Sequence, residues 1–246
     1  MTLRDAMPDH VAVAVPDFDV ADQRWRDVLG GRWTSWYHNK PAGFRSRQLR
    51  YRGGAKLELL QPSEIDPSPD NFVRSFLARH GPSVHHVTLK VPSLHDAIAA
   101  ARERELDVVG IDDRHPGWME AFLRPSQIGG LVVQLAQSNQ TDEDWAAHHD
   151  WTIPDPPADG ARLIGPRLTH PRTDDAAELW SHLGADVTET PDGLKVRWAD
   201  HPLVIEIVPD DGPARPLGVV FENCEPLDPH PELGTSVLVD SVQPGE

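Results

Sequence analysis

The sequence predicts an α+β fold built from two consecutive βαβββ modules, followed by a third, degenerate module. The main observation is a repeat between DHVAVAVPDFDVADQRWRDVLGGRW (9–33) and HHVTLKVPSLHDAIAAARERELDVV (85–109). Each stretch runs from a histidine through alternating small or apolar residues to Val-Pro, and then into a helical apolar pattern. Each is followed at a similar distance by a short apolar strand, KLELLQP in the first copy and LVVQLAQ in the second.

The first module is predicted to span residues 8–62. HVAVAV alternates as a strand does, and Pro16 and Asp17 separate it from a helix. One face of that helix is expected to carry Val20, Trp25, Val28 and Leu29. Two strands near 33–38 and 44–53 follow, and GAKLELLQP (54–62) ends the module.

The second module is predicted to span residues 83–137. Its first strand is SVHHVTLKV, and its helix is expected to bury Leu94, Ala97, Ile98, Ala101 and Leu106. Strands near 107–111 and 118–124 follow, and GGLVVQLAQ (129–137) closes the module. Residues 1–137 are therefore interpreted as one tandem domain.

The remainder divides into a linker and a weaker copy. Residues 138–162 are polar and proline-rich, which is typical of a linker. Residues 163–246 are interpreted as a degenerate third module, with a strand and a helix followed by LKVRWADHPLVIEIVP. In this copy Glu206 matches Glu58, but Gly165 stands where His10 stands, so a second metal site is not expected there.

The interval between the repeated polar residues is the most specific feature. His10 and Glu58 lie 48 positions apart, and so do His86 and Gln134. Imidazole nitrogens with carboxylate or amide oxygens suit a divalent metal of borderline hardness. A single histidine at a strand start is more often a structural, hydrogen-bonded residue. The matched spacing nevertheless predicts that His10, Glu58, His86 and Gln134 share a metal site.

Strand alternation distinguishes the two histidines of SVHHVTLKV. Neighbouring residues of a strand face opposite sides, so only one of the two lies on the ligand face. Alignment with His10 selects His86 and makes His85 a packing or hydrogen-bonding residue. The small residues Ala12 and Ala14, which share the face of His10, are expected to leave room for a ligand.

Composition limits the possible partners. The net charge of −16 disfavours binding to nucleic acid or to an anionic membrane surface. The sequence has one cysteine, Cys224, and no apolar stretch near the roughly 20 residues that span a bilayer. The N-terminal residues do not form a signal peptide. A cytoplasmic protein is the expectation.

These motifs resemble those of the vicinal oxygen chelate superfamily, which includes glyoxalase I, extradiol dioxygenases and bleomycin resistance proteins. HVAVAVPD, KLELLQP, VHHVTLKVP and GGLVVQLAQ are most similar to the methylmalonyl-CoA epimerase-like branch. The resemblance implies that the paired modules form an open, cupped, mixed β-sheet. It also implies one divalent metal ion (zinc, cobalt, nickel, manganese or iron), a small-molecule substrate and a homodimer.

The chain also departs from this family. The family usually has glutamate where this chain has Gln134, and the epimerases have a glutamate in the region that reads WYHNKPAGF here. His38 in that region and Glu120 in the second module are therefore candidate catalytic groups, with Tyr37 as a further acid. For each of them a surface role is an equal alternative. Basic side chains that could meet an anionic substrate group, or could equally form a solvated strand face, are Arg45, Arg47, Arg50 and Arg52.

The resemblance favours a metal-dependent enzyme that transfers a proton next to the carbonyl of a small acyl or acyl-thioester substrate, as an isomerase or epimerase. A glyoxalase-like lyase is one alternative. A non-catalytic binding or resistance protein is the other. The four ligand-type residues favour an enzyme, whereas Gln134 and the missing first-module glutamate favour a binding protein.

Overall fold

The computed structural model has an α+β architecture whose strands lie in two mixed sheets. The residues that it describes are 3, 5–34, 38–40 (backbone only), 43–63 and 71–240. Within them, no helix has both the length and the apolar character needed to cross a bilayer. The strand and helix order predicted for the two βαβββ modules is confirmed.

The chain divides into two compact units. The first unit comprises residues 1–10, 86–141 and 165–217, and the second comprises residues 11–85, 142–164 and 218–246. The first unit holds most of the second and third modules, and the second unit holds most of the first module.

The first module contains one parallel and several antiparallel strand pairs. Its elements are β1 (Met7–Ala14), α1 (Phe18–Asp22), a π-helical turn (Gln23–Val28), β2 (Arg32–Trp33), β3 (His38–Lys40), β4 (Phe44–Arg50) and β5 (Lys56–Pro62). Strands β1 and β5 are parallel, with Ala12 opposite Glu58 and Ala14 opposite Leu60. Strand β4 is antiparallel to β5, to β2 and to β3.

Two of the four residues predicted to lie on the buried face of the first helix are exposed. Trp25 and Leu29 are fully buried, but Val20 and Val28 are 41% and 60% exposed. The change from α-helix to π-helix at Gln23 widens the turn and shifts the inward positions that follow it, including that of Val28. Trp25 Nε1 consequently donates to the Leu233 carbonyl at 2.8 Å.

A helix that the sequence analysis did not predict follows β5. Helix α2 (Phe72–His80) begins at Asn71, whose side-chain oxygen accepts from the backbone N–H groups of Val73 and Arg74. Val73 packs in a buried cluster with Ala12, Ala14 and Leu60, and the partly buried Phe44, Phe76 and Leu77 pack against this cluster. The room expected beside Ala12 and Ala14 is therefore filled by side chains of the chain itself, and that expectation was wrong.

The second module follows the predicted order closely. Its elements are β6 (Ser83–Lys90), α3 (Leu94–Glu103), β7 (Val108–Asp112), β8 (Met119–Leu123) and β9 (Val132–Gln137). Strands β6 and β9 are parallel, with Thr88 opposite Gln134, and β8 is antiparallel to both β7 and β9. Helix α3 begins after the capping residue Ser93 and buries Leu94, Ala97, Ile98 and Ala101 as predicted. The prediction was wrong for Leu106, which lies beyond the end of the helix and is half-buried.

The segment interpreted as a linker contains helix α4 (Asp142–His148). Asp142 lies 3.0 Å from Lys56 Nζ, and Glu143 lies 2.6 Å from Arg50 Nη2. These ion pairs hold the first turn of α4 to strands β4 and β5. Arg50 and Arg52 were both considered for an anionic substrate group, and both are engaged within the chain. Arg50 pairs with Glu143, and Arg52 Nε donates to the Gly160 carbonyl at 3.0 Å.

The third module forms a sheet separate from that of the first two. Its elements are β10 (Arg162–His170), α5 (Thr173–His182), β11 (Asp186–Thr190), β12 (Gly193–Arg197) and β13 (Val204–Pro209), with β14 (Arg215–Glu222) and β15 (Val237–Val239) in the same sheet. Strands β10 and β13 are parallel, with Arg167 opposite Glu206. This register repeats the pairing of Ala12 with Glu58.

Candidate metal centre

The predicted ligand residues lie on the first and last strands of the two modules. His10 is on β1, Glu58 on β5, His86 on β6 and Gln134 on β9. His10, His86 and Gln134 are buried, and Glu58 is half-buried. In the described part of the chain, His10, Glu58 and His86 are the group of ligand-type side chains that could hold a metal ion, with ligand atoms within 4.8 Å of one another.

The two histidine rings approach each other edge to face. The ring centroids of His10 and His86 are 5.5 Å apart, and the ring planes meet at 69°. Both side chains are almost fully buried, with 1% and 4% exposure. Two imidazoles held this closely away from bulk water provide a pair of nitrogen donors of the kind that borderline divalent metals prefer.

His85 has different surroundings from His86. Its ring packs against Phe76, at a centroid distance of 4.8 Å, and against Phe72, at 5.5 Å. Burial lowers the pKa of His85 to about 4, although the nearby Glu58 carboxylate acts in the opposite direction. His85 is thus an aromatic packing partner of helix α2.

Thr88 connects two of the predicted ligands, and the sequence analysis did not identify this role. Its hydroxyl donates to Gln134 Oε1 at 2.5 Å. Thr88 Oγ1 also lies 2.9 Å from His10 Nε2. Thr88 is fully buried. The inner atoms of His10 and Gln134 therefore meet at one hydroxyl oxygen.

Asp9 holds the other side of the His10 ring. Asp9 Oδ2 lies 2.7 Å from His10 Nδ1, and Asp9 Oδ1 lies 3.1 Å from Lys90 Nζ. Asp9 is itself buried, with 8% exposure. A buried carboxylate of this kind fixes the orientation of the imidazole and directs its second nitrogen inward.

Glu120, a predicted catalytic candidate, contacts Gln134 directly. Glu120 Oε2 accepts from Gln134 Nε2 at 2.7 Å and from Trp118 Nε1 at 2.7 Å. On the antiparallel pair of β8 and β9, Glu120 lies opposite Ala136, so it shares a face with Gln134 two residues away. The ammonium of Lys90 lies 5.9 Å above the Trp118 ring.

The other candidates from the first module lie on β3 and β4 or outside the described residues. The backbone of His38 lies in β3 opposite Ser46, but its side chain and the whole of Tyr37 lie outside the described residues. Arg47 is buried with its guanidinium 4.0 Å from the Trp33 ring centroid. The guanidinium of Arg45 lies 5.8 Å from the Phe18 ring centroid.

The third module has a salt bridge at the position equivalent to the metal ligands. Arg167 Nη2 lies 2.6 Å from Glu206 Oε2, and Lys195 Nζ lies 3.4 Å from Glu206 Oε1. Gly165, which replaces the histidine, has a φ of +149°, and a Cβ built there would lie 2.1 Å from the Val204 carbonyl oxygen. A cationic side chain thus pairs with the carboxylate that corresponds to Glu58.

Two βαβββ modules, with His10, Glu58 and His86 grouped on their first and last strands, define the class of fold. The sequence model described as "Glyoxalase/Bleomycin resistance protein/Dioxygenase superfamily" matches residues 9–122. Mouse mitochondrial methylmalonyl-CoA epimerase is 30% identical over 132 residues, which cover 53% of this chain and 72% of the relative. The chain belongs to the glyoxalase/bleomycin resistance/dioxygenase superfamily.

Solved structures show a similar fold. A hypothetical protein of Bacillus halodurans C-125 has a TM-score of 0.50 and 21% identity, and the match covers 56% of this chain and 97% of that protein. Methylmalonyl-CoA epimerase from Mycobacterium tuberculosis has a TM-score of 0.49 and 23% identity, covering 57% and 92%. These matches cover just over half of the chain.

Proposed function

We propose that the protein is a divalent-metal-dependent isomerase or epimerase that moves a proton next to the carbonyl of an acyl thioester. The observation that carries the proposal is the buried pair of His10 and His86 together with Glu58. These residues recur at matched positions of two modules, and their ligand atoms are close enough to share one ion. Membership of the superfamily supports the metal, because such sites on this fold serve metal-assisted chemistry.

The choice of reaction is supported by the relatives. The curated proteins that match the chain are named methylmalonyl-CoA epimerases in mouse, cattle and human. Epimerisation next to a thioester carbonyl requires removal of a proton and its return to the other face. The costly species is the negatively charged carbanion, so the site must stabilise charge on the carbonyl oxygen.

The residues present fit a divalent metal. His10, His86 and Glu58 would hold the ion, and Gln134 would add its amide oxygen, which has a second lone pair beside the one that Thr88 uses. When bound, a divalent ion supplies Lewis-acid stabilisation of a carbonyl oxygen.

The proposed proton-transfer group is His38. The unperturbed pKa of histidine lies near neutrality, which suits both removal and return of a proton. Its backbone lies in β3, which pairs with β4, the strand next to the one carrying Glu58. Glu120 suits the role less well, since the same carboxylate oxygen already accepts two hydrogen bonds.

A non-catalytic binding protein is the second candidate. It is favoured by helix α2, which covers Ala12, Ala14 and Leu60, residues on the same sheet face as Glu58. A covered face leaves less space for a substrate beside the ligands. Under this alternative the protein would bind an acyl thioester or a related small molecule without exchanging its protons.

The deciding experiment combines metal analysis with proton exchange. The wild type and His86→Ala would be loaded with Co²⁺, and bound metal per chain would be measured after removal of free ions. Methylmalonyl-CoA and other acyl-CoA thioesters would then be incubated in D₂O. We expect one ion per wild-type chain, little in the variant, and deuterium incorporation by the wild type alone.

The outcomes separate the candidates. Stoichiometric metal and thioester binding without deuterium incorporation would establish the binding protein. No metal on the wild type under any loading condition would refute the proposed metal centre. His85→Ala is the matched control, because it removes the imidazole next to His86 in the sequence and should leave the metal content unchanged.

A further inference from the structure

Two carboxylates outside the proposed ligand set hold two of the ligands by their outer atoms. Asp9 contacts Nδ1 of His10 at 2.7 Å, and Glu120 accepts from Nε2 of Gln134 at 2.7 Å. The opposite atoms, His10 Nε2 and Gln134 Oε1, both reach Thr88 Oγ1, at 2.9 and 2.5 Å. The two ligands are therefore fixed in the same manner from opposite sides.

The arrangement matters most for Gln134. An amide has an oxygen end and a nitrogen end of nearly equal size, and only the oxygen binds a metal ion. An ionised carboxylate accepts hydrogen bonds and cannot donate them, so Glu120 can pair only with the nitrogen end. This bond selects the orientation that directs Oε1 towards His10. Trp118 Nε1 in turn holds the Glu120 carboxylate in place.

The contacts of Asp9 orient the His10 ring in the equivalent way. The carboxylate faces Nδ1, so Nε2 is the nitrogen left for the interior. Lys90 lies 3.1 Å from the other Asp9 oxygen and compensates the charge of this buried group. Asp9 and Lys90 are 8% and 29% exposed, so the carboxylate is the more deeply enclosed of the two.

We propose that Asp9 and Glu120 are positioning residues, which orient His10 Nε2 and Gln134 Oε1 towards one metal ion. The inference rests on the proposed function, because it assumes that these two side chains are ligands. It assigns Glu120 a role different from proton transfer. Outer carboxylates that orient metal ligands typically change metal affinity by about 10- to 100-fold when they are removed.

The test compares Glu120→Gln with Glu120→Ala. Glutamine retains an oxygen that can accept from Gln134 Nε2 but cannot act as a base, whereas alanine removes both properties. Co²⁺ affinity would be measured by competition with a chelator, and the visible Co²⁺ spectrum would report the ligand environment. We expect Glu120→Ala to lose about 10- to 100-fold in affinity with a changed spectrum, and Glu120→Gln to stay within about threefold of the wild type.

Asp112→Asn is the matched control for Glu120. Asp112 lies opposite Glu120 on the neighbouring strand β7, but its carboxylate binds Arg114 at 2.7 Å. Its replacement should leave both the Co²⁺ affinity and the spectrum unchanged. For Asp9, the alanine variant should lower the Co²⁺ affinity by a similar factor, and the asparagine variant, which keeps an oxygen acceptor, by less.

The outcomes distinguish the positioning role from the proposed function. Wild-type affinity and spectrum in Glu120→Ala would overturn the positioning role while leaving the metal centre intact. Normal Co²⁺ binding with complete loss of deuterium exchange in Glu120→Gln would also overturn it, because Glu120 would then be the base. Failure of the wild type itself to bind Co²⁺ would instead refute the proposed function on which the inference rests.

Discussion

The guanidinium of Arg167 lies 2.6 Å from the carboxylate of Glu206, at strand positions that match Ala12 and Glu58 of the first module. The same carboxylate position is thus paired with a side-chain cation in one module and proposed as a metal ligand in the other. The comparison gives a direct way to separate the two roles.

Arg167→Ala should destabilise the protein without changing its metal content. Glu206 is 7% exposed, so removal of Arg167 leaves a buried negative charge that retains its ion pair with Lys195. We expect a loss of roughly 1–3 kcal/mol, because Arg167 is partly solvated. Denaturant unfolding measures the loss, and Co²⁺ stoichiometry should remain one. A change in stoichiometry would show that the third module binds metal.

We expect the neighbouring residues His85 and His86 to have different roles, with His86 a metal ligand and His85 a packing residue. His85→Ala should lose stability, because the ring contacts Phe72 and Phe76, and should retain metal. His86→Ala should lose metal and, in the apo form, little stability. Thermal unfolding in the presence of a chelator, together with metal analysis, tests both statements. Equal metal content in the two variants would contradict the assignment.

Stability should fall as the pH is lowered below the ordinary pKa of histidine, near 6.5. Burial lowers the pKa of His182, and the nearby Arg104 lowers it further. The folded state therefore takes up this proton at lower pH than the unfolded state, so protonation favours unfolding. His182→Leu should flatten the dependence of the unfolding free energy on pH between about 7 and 5. The exposed His95, replaced by glutamine, serves as the control variant.

Asn71→Ala should weaken helix α2. The Asn71 side chain accepts from Val73 N at 3.1 Å and from Arg74 N at 3.2 Å, and it also donates to the Gly43 carbonyl. Loss of a helix N-cap costs about 1–2 kcal/mol. Hydrogen exchange of the amides in α2 should accelerate more than that of the amides in α3. Uniform acceleration across the chain would show that α2 does not unfold separately.

The periodic parts of the fold were predictable from the sequence. Alternation identified β1 and β6, and the matched interval identified His10 and His86 as equivalent residues. Apolar spacing identified the buried face of α3. These features depend on local periodicity and on repetition, both of which a single sequence displays.

Other features depend on contacts that periodicity does not show. Helix α2 has only nine residues, and its buried side is completed by Ala12, Ala14 and Leu60 from distant strands. The π-helical turn changed the inward positions around Trp25. The network through Thr88 and Glu120 requires the register of β8 and β9 and the side-chain orientations, neither of which the spacing of the histidines fixes.

Gly165 has a consequence for the engineering of a second metal site. Any side chain there would bring its Cβ to within about 2.1 Å of the Val204 carbonyl oxygen, so histidine cannot be installed by one substitution. Arg167 would also have to be replaced before the Glu206 carboxylate became available. Backbone rebuilding at β10 would have to come before any change of side chains, so a designer who wants two metal ions per chain should start from another part of the protein.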